Sequence, residues 1–170
     1  KISATNSSDV IKELDGFIPA VIDGGLSEIG LESTIIDVST SSPVLLRPGG
    51  TIIEDIEQII GRFETKNQTS FINSPGQLMS HYSPDTKMRL YADNRNAGEV
   101  LLGFGSKKSD ISLSRSGNLT EAAANLFSHM RSIDILAKRV GATCIAVSPI
   151  PSIGLGLAIN DRLQRAAAVR

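Results

Sequence analysis

The chain has 170 residues and a formal net charge of -1, so it lacks the basic surface that binding nucleic acid by bulk electrostatics requires. Hydrophobic residues make up 41% and charged residues 21%, ordinary for a soluble globular chain of one domain or two small ones; aromatics at 4% and no Trp require an aliphatic core. One cysteine, Cys144, excludes an internal disulfide, and the apolar run Cys144-Ile145-Ala146-Val147 reads as a buried, inert thiol.

From the N-terminus, Lys1-Ile2-Ser3-Ala4-Thr5 opens without Met, and the chain is expected to begin inside a larger protein. Asn6-Ser7-Ser8 predicts the cap of a helix over Asp9 to Leu14, stopped by Asp15-Gly16. Ile18 to Ile22 reads as a short buried strand. It enters the loop Asp23-Gly24-Gly25-Leu26-Ser27-Glu28-Ile29-Gly30-Leu31-Glu32-Ser33, which is followed by a strand over Thr34 to Val38. A turn over Thr40 to Pro43 leads to the strand Val44-Leu45-Leu46-Arg47, ended by Pro48-Gly49-Gly50. Glycines let backbone approach a ligand, hydroxyls and N–H groups bind anionic oxygens, and arginine grips phosphate or carboxylate with two parallel bonds. Spacing alone leaves two readings open here: an anion pocket between two strands, or a glycine turn beside a surface arginine. Thr51 and Glu54 predict a capping box for a helix over Ile52 to Ile60, with Ile52, Ile53, Ile56, Ile59 and Ile60 on one face and Gly61 as C-cap.

From Arg62 to Pro84 the pattern loses its period and reads as a linker. Its centre, Gln77-Leu78-Met79-Ser80-His81-Tyr82, is bulkier than a spacer needs, so it is expected to pack on something. Strands follow at Met88 to Ala92, Val100 to Gly105 and Ile111 to Ser114. Asn118 and Glu121 cap a long helix whose apolar stripe runs from Leu119 to Val140 and ends at Gly141. Thr143 to Val147 is a further strand, and a final helix covers about Leu157 to Ala168, with Leu157, Leu163 and the alanines as its packed side. The alternation of strand and helix predicts a small parallel α/β sheet. No apolar run approaches the roughly 20 residues that span a bilayer, and no segment has a signal-peptide layout; a cytoplasmic protein with no membrane partner is the default expectation.

Several of these segments, in this order, resemble one family. Gly30-Leu31-Glu32-Ser33-Thr34-Ile35-Ile36-Asp37 and Leu46-Arg47-Pro48-Gly49 resemble the YrdC-type domain of Sua5 proteins, the threonylcarbamoyl-AMP synthases. Ser74-Pro75-Gly76-Gln77-Leu78 and His81-Tyr82-Ser83-Pro84 resemble the linker of that family, usually written with Ala where Ser83 stands. Glu121-Ala122-Ala123-Ala124-Asn125-Leu126-Phe127, Gly154-Leu155-Gly156, Ala158-Ile159-Asn160-Asp161-Arg162-Leu163 and Arg165-Ala166-Ala167-Ala168 resemble its C-terminal Sua5 domain. The resemblance implies an α/β fold: the C-terminal fragment of a YrdC-like twisted domain over residues 1–63, an inter-domain linker over 64–87, and a small Rossmann-like parallel-sheet domain over 88–170.

The implied activity condenses L-threonine, bicarbonate and ATP into threonylcarbamoyl-AMP and pyrophosphate, for modification of adenosine 37 in tRNAs that read codons starting with A. ATP enters as substrate, with Mg2+, and the product passes to a tRNA threonylcarbamoyl-transferase complex; direct tRNA binding by this chain is not expected. Attack of a carbamate oxygen on the α-phosphorus calls for positioning and charge neutralisation rather than a protein nucleophile, so no catalytic side chain and no protein metal site is assigned. The resemblance places Ser33 on L-threonine, Arg47 on the ATP phosphates, Ser3 on ATP, and Tyr82 in a linker laid over the nucleotide as a lid. Each has a plainer alternative: Ser3 as a loose terminus, Ser33 as a strand-end cap, Arg47 paired with Glu32 or Asp37, Tyr82 as domain packing. His81 is expected to hold the linker conformation; His129 lies on the exposed side of its helix and receives no role, and Lys87-Met88-Arg89 is not assigned to the site.

The chain departs from the family pattern in lacking its basic Lys/Arg motif and its Ser-Ala-Asn motif. It is therefore expected to hold one wall of the pocket, to have negligible synthase activity alone, and to associate, aggregate or lose order over residues 1–60 where strand edges are bare. The rival reading is a non-catalytic nucleotide- or partner-binding Rossmann-like regulatory module, for which Gly103-Phe104-Gly105 at a strand end is the cue.

Overall fold

The structure, a computed structural model, describes residues 2–39, 41–63 and 82–168. Helix α1, Ser7–Leu14, begins two residues before the expected start because its cap is reciprocal. The Asn6 side chain accepts from the Asp9 N–H at 2.8 Å, and the Asp9 carboxylate accepts from the Thr5 N–H at 3.4 Å. Ile18 to Ile22 is not a strand. Its residues pair into no sheet among the described residues, and Ile22 is 96% exposed. An apolar run becomes a strand only where a neighbouring edge takes up its N–H and C=O groups, and no such edge lies beside it among the described residues.

Strands β1 (Ile35–Asp37) and β2 (Val44–Arg47) form an antiparallel pair with a register shift between Ile35 and Ile36. The Pro48-Gly49-Gly50 turn folds back onto the segment before β1: Gly50 N–H donates to the Glu32 carbonyl at 2.8 Å and the Thr34 hydroxyl to the Thr51 carbonyl at 2.7 Å. Helix α2, Ile53–Ile60, lacks the expected capping box. Ile52 stands at the cap without a side-chain bond, and Glu54 instead accepts from the Gly154 N–H at 3.0 Å. No residue of α2 is buried; Ile52, just before it, packs on the main core.

That core belongs to the second half. Strands β3 (Lys87–Arg89), β4 (Glu99–Gly103), β5 (Ile111–Ser112) and β6 (Cys144–Val147) form a parallel sheet in the order β3-β6-β4-β5. Lys87-Met88-Arg89 is thus one of the two edge strands of the sheet. Helices α3 (Leu119–Val140) and α4 (Leu155–Ala167) pack on the sheet and on each other. The α3 ends are those expected: the Asn118 side chain accepts from the Glu121 N–H at 2.9 Å, and Gly141 closes it in the left-handed conformation. Helix α4 starts two residues early, and its inward stripe is Leu155, Ala158, Ile159, Arg162, Leu163 and Ala166. The core is mainly aliphatic, built on Val100, Leu102, Leu126, Met130, Ile133, Ile145 and Ile159 with the buried rings of Phe127 and Tyr82. Ile2, Leu31 and Ile52 join it from the first half.

Three further expectations change in detail. Cys144 is only half-buried at the start of β6; burial, then the Glu99 charge, push its thiol pKa upward, so it stays protonated. His129 is half-buried, with Nδ1 3.0 Å from the Ser112 carbonyl, and so braces β5 against α3. Gly103 faces Ser109, and Gly105 N–H donates to the Ser114 carbonyl at 2.7 Å, so this glycine pair serves loop packing. No described helix is long and apolar enough to cross a membrane.

Candidate active site

Gly30 sets the position of the site loop. Its φ of +69° belongs to glycine, and a Cβ there would stand 2.6 Å from the carbonyls of Ala123 and Ala124, so the loop lies directly on α3. The chain then turns through Glu32 and Ser33 into β1. At the end of β2, Arg47 is 6% exposed and reaches back across the hairpin. Its Nε and Nη2 donate to the Ser33 carbonyl at 3.2 and 2.9 Å, and Nη2 lies 3.4 Å from the Ser33 hydroxyl. Ser33 itself is exposed, whereas its partner Arg47 is buried. Spacing alone left an anion pocket and a surface arginine both open; the structure buries the arginine and clamps its fork on the carbonyl of the residue that presents the hydroxyl.

Glu32 is the hub. The Ser3 hydroxyl donates to its Oε1 at 2.8 Å, and Arg162 Nε donates to its Oε2 at 3.0 Å. Burial alone would raise the Glu32 pKa, but the Ser3 bond and the Arg162 charge outweigh it and hold the carboxyl below the usual 4.5. Tyr82 closes the group. Its backbone is left-handed, φ 63°, its ring is 1% exposed and stacks on Phe127 with centroids 5.2 Å apart, and Arg162 lies 5.7 Å above its centre. Burial, then the nearby Glu32 charge, push the Tyr82 hydroxyl pKa upward. Ser3, Ser33, Arg47 and Tyr82, which the family resemblance assigns to one pocket, lie around Glu32 and Arg162. His81 lies outside the described residues.

The sequence reading missed Glu32 and Arg162 as site-building residues. The signal for Arg162 was present: it occupies an inward position of α4 between Ile159 and Leu163, and a buried cation requires partners. Two hollows lie elsewhere. One, about 600 Å3, is lined by Lys87, Lys138 and Cys144 among others, and one of about 440 Å3 lies between α1 and α3.

Residues 52–168, from the first turn of α2 to the end of α4, match the family described as threonylcarbamoyl-AMP synthase, C-terminal domain. The chain belongs to this family. Among curated proteins it is 32% identical to a threonylcarbamoyl-AMP synthase of Pyrococcus abyssi, an alignment covering 100% of this chain and 55% of the relative. It is 33% identical to the synthase of Bacillus subtilis, again with 100% and 55% covered, and 30% identical to that of Schizosaccharomyces pombe, with 98% and 49%. The chain therefore spans about half the length of the curated relatives it matches. Among solved structures it resembles P. abyssi Sua5 complexed with L-threonine, with a TM-score of 0.79 at 32% identity over 98% of this chain and 54% of the other. A variant of the same P. abyssi protein, with an adjacent histidine and tyrosine changed to alanine, matches with the same TM-score at 29% identity over the same shares. In this Sua5-family chain Tyr82 and Arg162 fall inside the matched domain, while Ser3, Ser33 and Arg47 precede it.

Proposed function

We propose that this chain forms the C-terminal half of an L-threonylcarbamoyladenylate synthase, a nucleotidyltransferase that makes threonylcarbamoyl-AMP and pyrophosphate from L-threonine, bicarbonate and ATP for tRNA modification in the cytoplasm. One observation carries the reading: Arg47 is clamped on Ser33, so that a cation and an outward hydroxyl share one patch in a chain of this family. The threonine held by the P. abyssi relative supports an amino-acid substrate. In this scheme Ser33 donates its hydroxyl to the threonine part of the substrate. Arg47 neutralises charge building on the phosphates as the carbamate oxygen attacks the α-phosphorus and pyrophosphate departs. Ser3 contacts ATP while staying aligned by Glu32, and Tyr82 seats the linker over the nucleotide. ATP arrives with Mg2+, which is held by its own phosphates together with few protein oxygens. The product goes on to a tRNA threonylcarbamoyl-transferase complex.

The test uses a protein of the relatives' full length carrying residues 1–170 as its C-terminal half. Pyrophosphate release should require both threonine and bicarbonate. Ser33→Ala should raise KM for threonine more than KM for ATP. Unchanged ATP affinity in Arg47→Ala, measured by calorimetry, would remove Arg47 from the nucleotide site and favour a regulatory binding module instead.

A further inference from the structure

We propose that Arg162 is a positioning residue of this synthase, the point at which the C-terminal domain fixes the geometry of the Ser33–Arg47 patch; the inference rests on the function proposed above. Arg162 is 0% exposed on the inward face of α4. A Leu or Met would fill that place without the cost of removing a cation from water, so the charge needs a reason. Its bonds supply one. Nε donates to Glu32, the residue immediately before Ser33, and Nη1 donates at 2.9 Å to the carbonyl of Pro48, the residue immediately after Arg47. One planar fork therefore holds the chain neighbours of both site residues, across sequence separations of 130 and 114. Asp161, one residue away, accepts from Nη1 at 2.7 Å and is itself held by Arg165, which fixes the fork on its own helix.

The guanidinium also meets the linker. Nη2 is buried without a hydrogen-bond partner among the described residues, and the guanidinium carbon lies 5.7 Å from the centre of the Tyr82 ring. An aromatic face at that distance attracts a cation. One side chain thus touches the site loop, the end of β2 and the first described linker residue. Positioning to a fraction of an ångström is what an in-line transfer without a protein nucleophile depends on. The tie gives the C-terminal domain a direct part in the chemistry while Arg162 itself stays out of contact with substrate.

The experiment again uses the protein at the relatives' full length. Arg162→Met conserves apolar bulk, Arg162→Lys conserves charge but not the fork, and Glu32→Gln removes the charge at the far end. Each is expected to lower kcat for threonine-dependent pyrophosphate release about tenfold to a hundredfold with a smaller change in KM. Lys should rescue little, because one ammonium cannot span Glu32, Pro48 and the ring together. The double variant Arg162→Met/Glu32→Gln should lose about as much as the worse single one. Hydrogen exchange should quicken at residues 30–34 and 47–50 and stay slow in α3. Full kcat in a folded Arg162→Met, additive losses in the double variant, or unchanged exchange at both segments would each overturn the tie. If Arg162→Met fails to fold, Glu32→Gln decides alone: unchanged kcat and exchange overturn the proposal. A parent protein that releases no pyrophosphate refutes the proposed function instead, while the exchange measurement still judges the tie.

Discussion

At the level of single residues, Arg47 and Arg162 show what a sequence discloses about charge. Arg47 stands before Pro48-Gly49, where a turn advertises it, but spacing alone left a surface arginine open, and its bonds to Ser33 are visible only in the folded hairpin. Arg162 sits in an apolar stripe, and its partners Glu32 and Pro48 come from more than a hundred residues away, so pattern alone could flag it but not name them. We expect Arg47→Ala to weaken ATP binding roughly 10- to 100-fold, the size of lost charge-assisted bonds, as read by calorimetry. Arg162→Ala should destabilise by about 3 kcal/mol, at the low end for a broken buried pair because Glu32 keeps a quarter of its side chain in water; chemical denaturation measures it. A different pair contributes to the loss of stability in acid. Arg89, then the Asn96 N–H, hold Glu99 down to about 2 from the usual 4.5. A depressed carboxyl contributes stability that is whole above its unfolded value and is lost as pH falls toward its folded one. Thermal melts should therefore lose Tm between pH 4.5 and 2, and Glu99→Gln should flatten that slope.

At the level of elements, the strands and helices of the second half were readable to within three residues at their ends because their signals are local. Asn118, the apolar stripe and Gly141 lie within one helix, and each strand closes on a turn. The first half was less readable because its elements depend on what lies beside them. Ile18 to Ile22 has strand composition but no edge to join. Thr51 and Glu54 have capping-box spacing, yet their groups go to Thr34 and Gly154. The β1–β2 hairpin is legible, but its tightness is not: a Cβ on Gly49 would stand 2.3 Å from the backbone of Ser33 and Thr34. Gly49→Ala must move the site loop. It should cut threonine-dependent turnover at least tenfold while the far-ultraviolet spectrum of the parallel sheet and α3 is retained.

For the molecule as a whole, the apolar surface is lopsided. Phe17, Ile22, Leu26, Val38 and Ile59 are all more than 70% exposed, and all belong to residues 2–63. Patches of this kind mark surfaces that seek a partner. Residues 1–170 by themselves should self-associate with rising concentration, as light scattering would show, and release pyrophosphate negligibly beside a full-length relative. Turnover at the relative's rate would place the whole catalytic apparatus within these residues.

Helix α3 links both halves. Arg131 forms ion pairs with Asp9 and Glu13 and donates to the Ile2 carbonyl, Ala123 and Ala124 lie beneath Gly30, Phe127 stacks on Tyr82, and Asp134 accepts from the Thr86 N–H at 2.9 Å. A chain whose sequence suggests two modules is thereby strung on a single rod. Scanning calorimetry should then register one endotherm with matching van't Hoff and calorimetric enthalpies, because the N-terminal segment has no footing of its own once that rod melts.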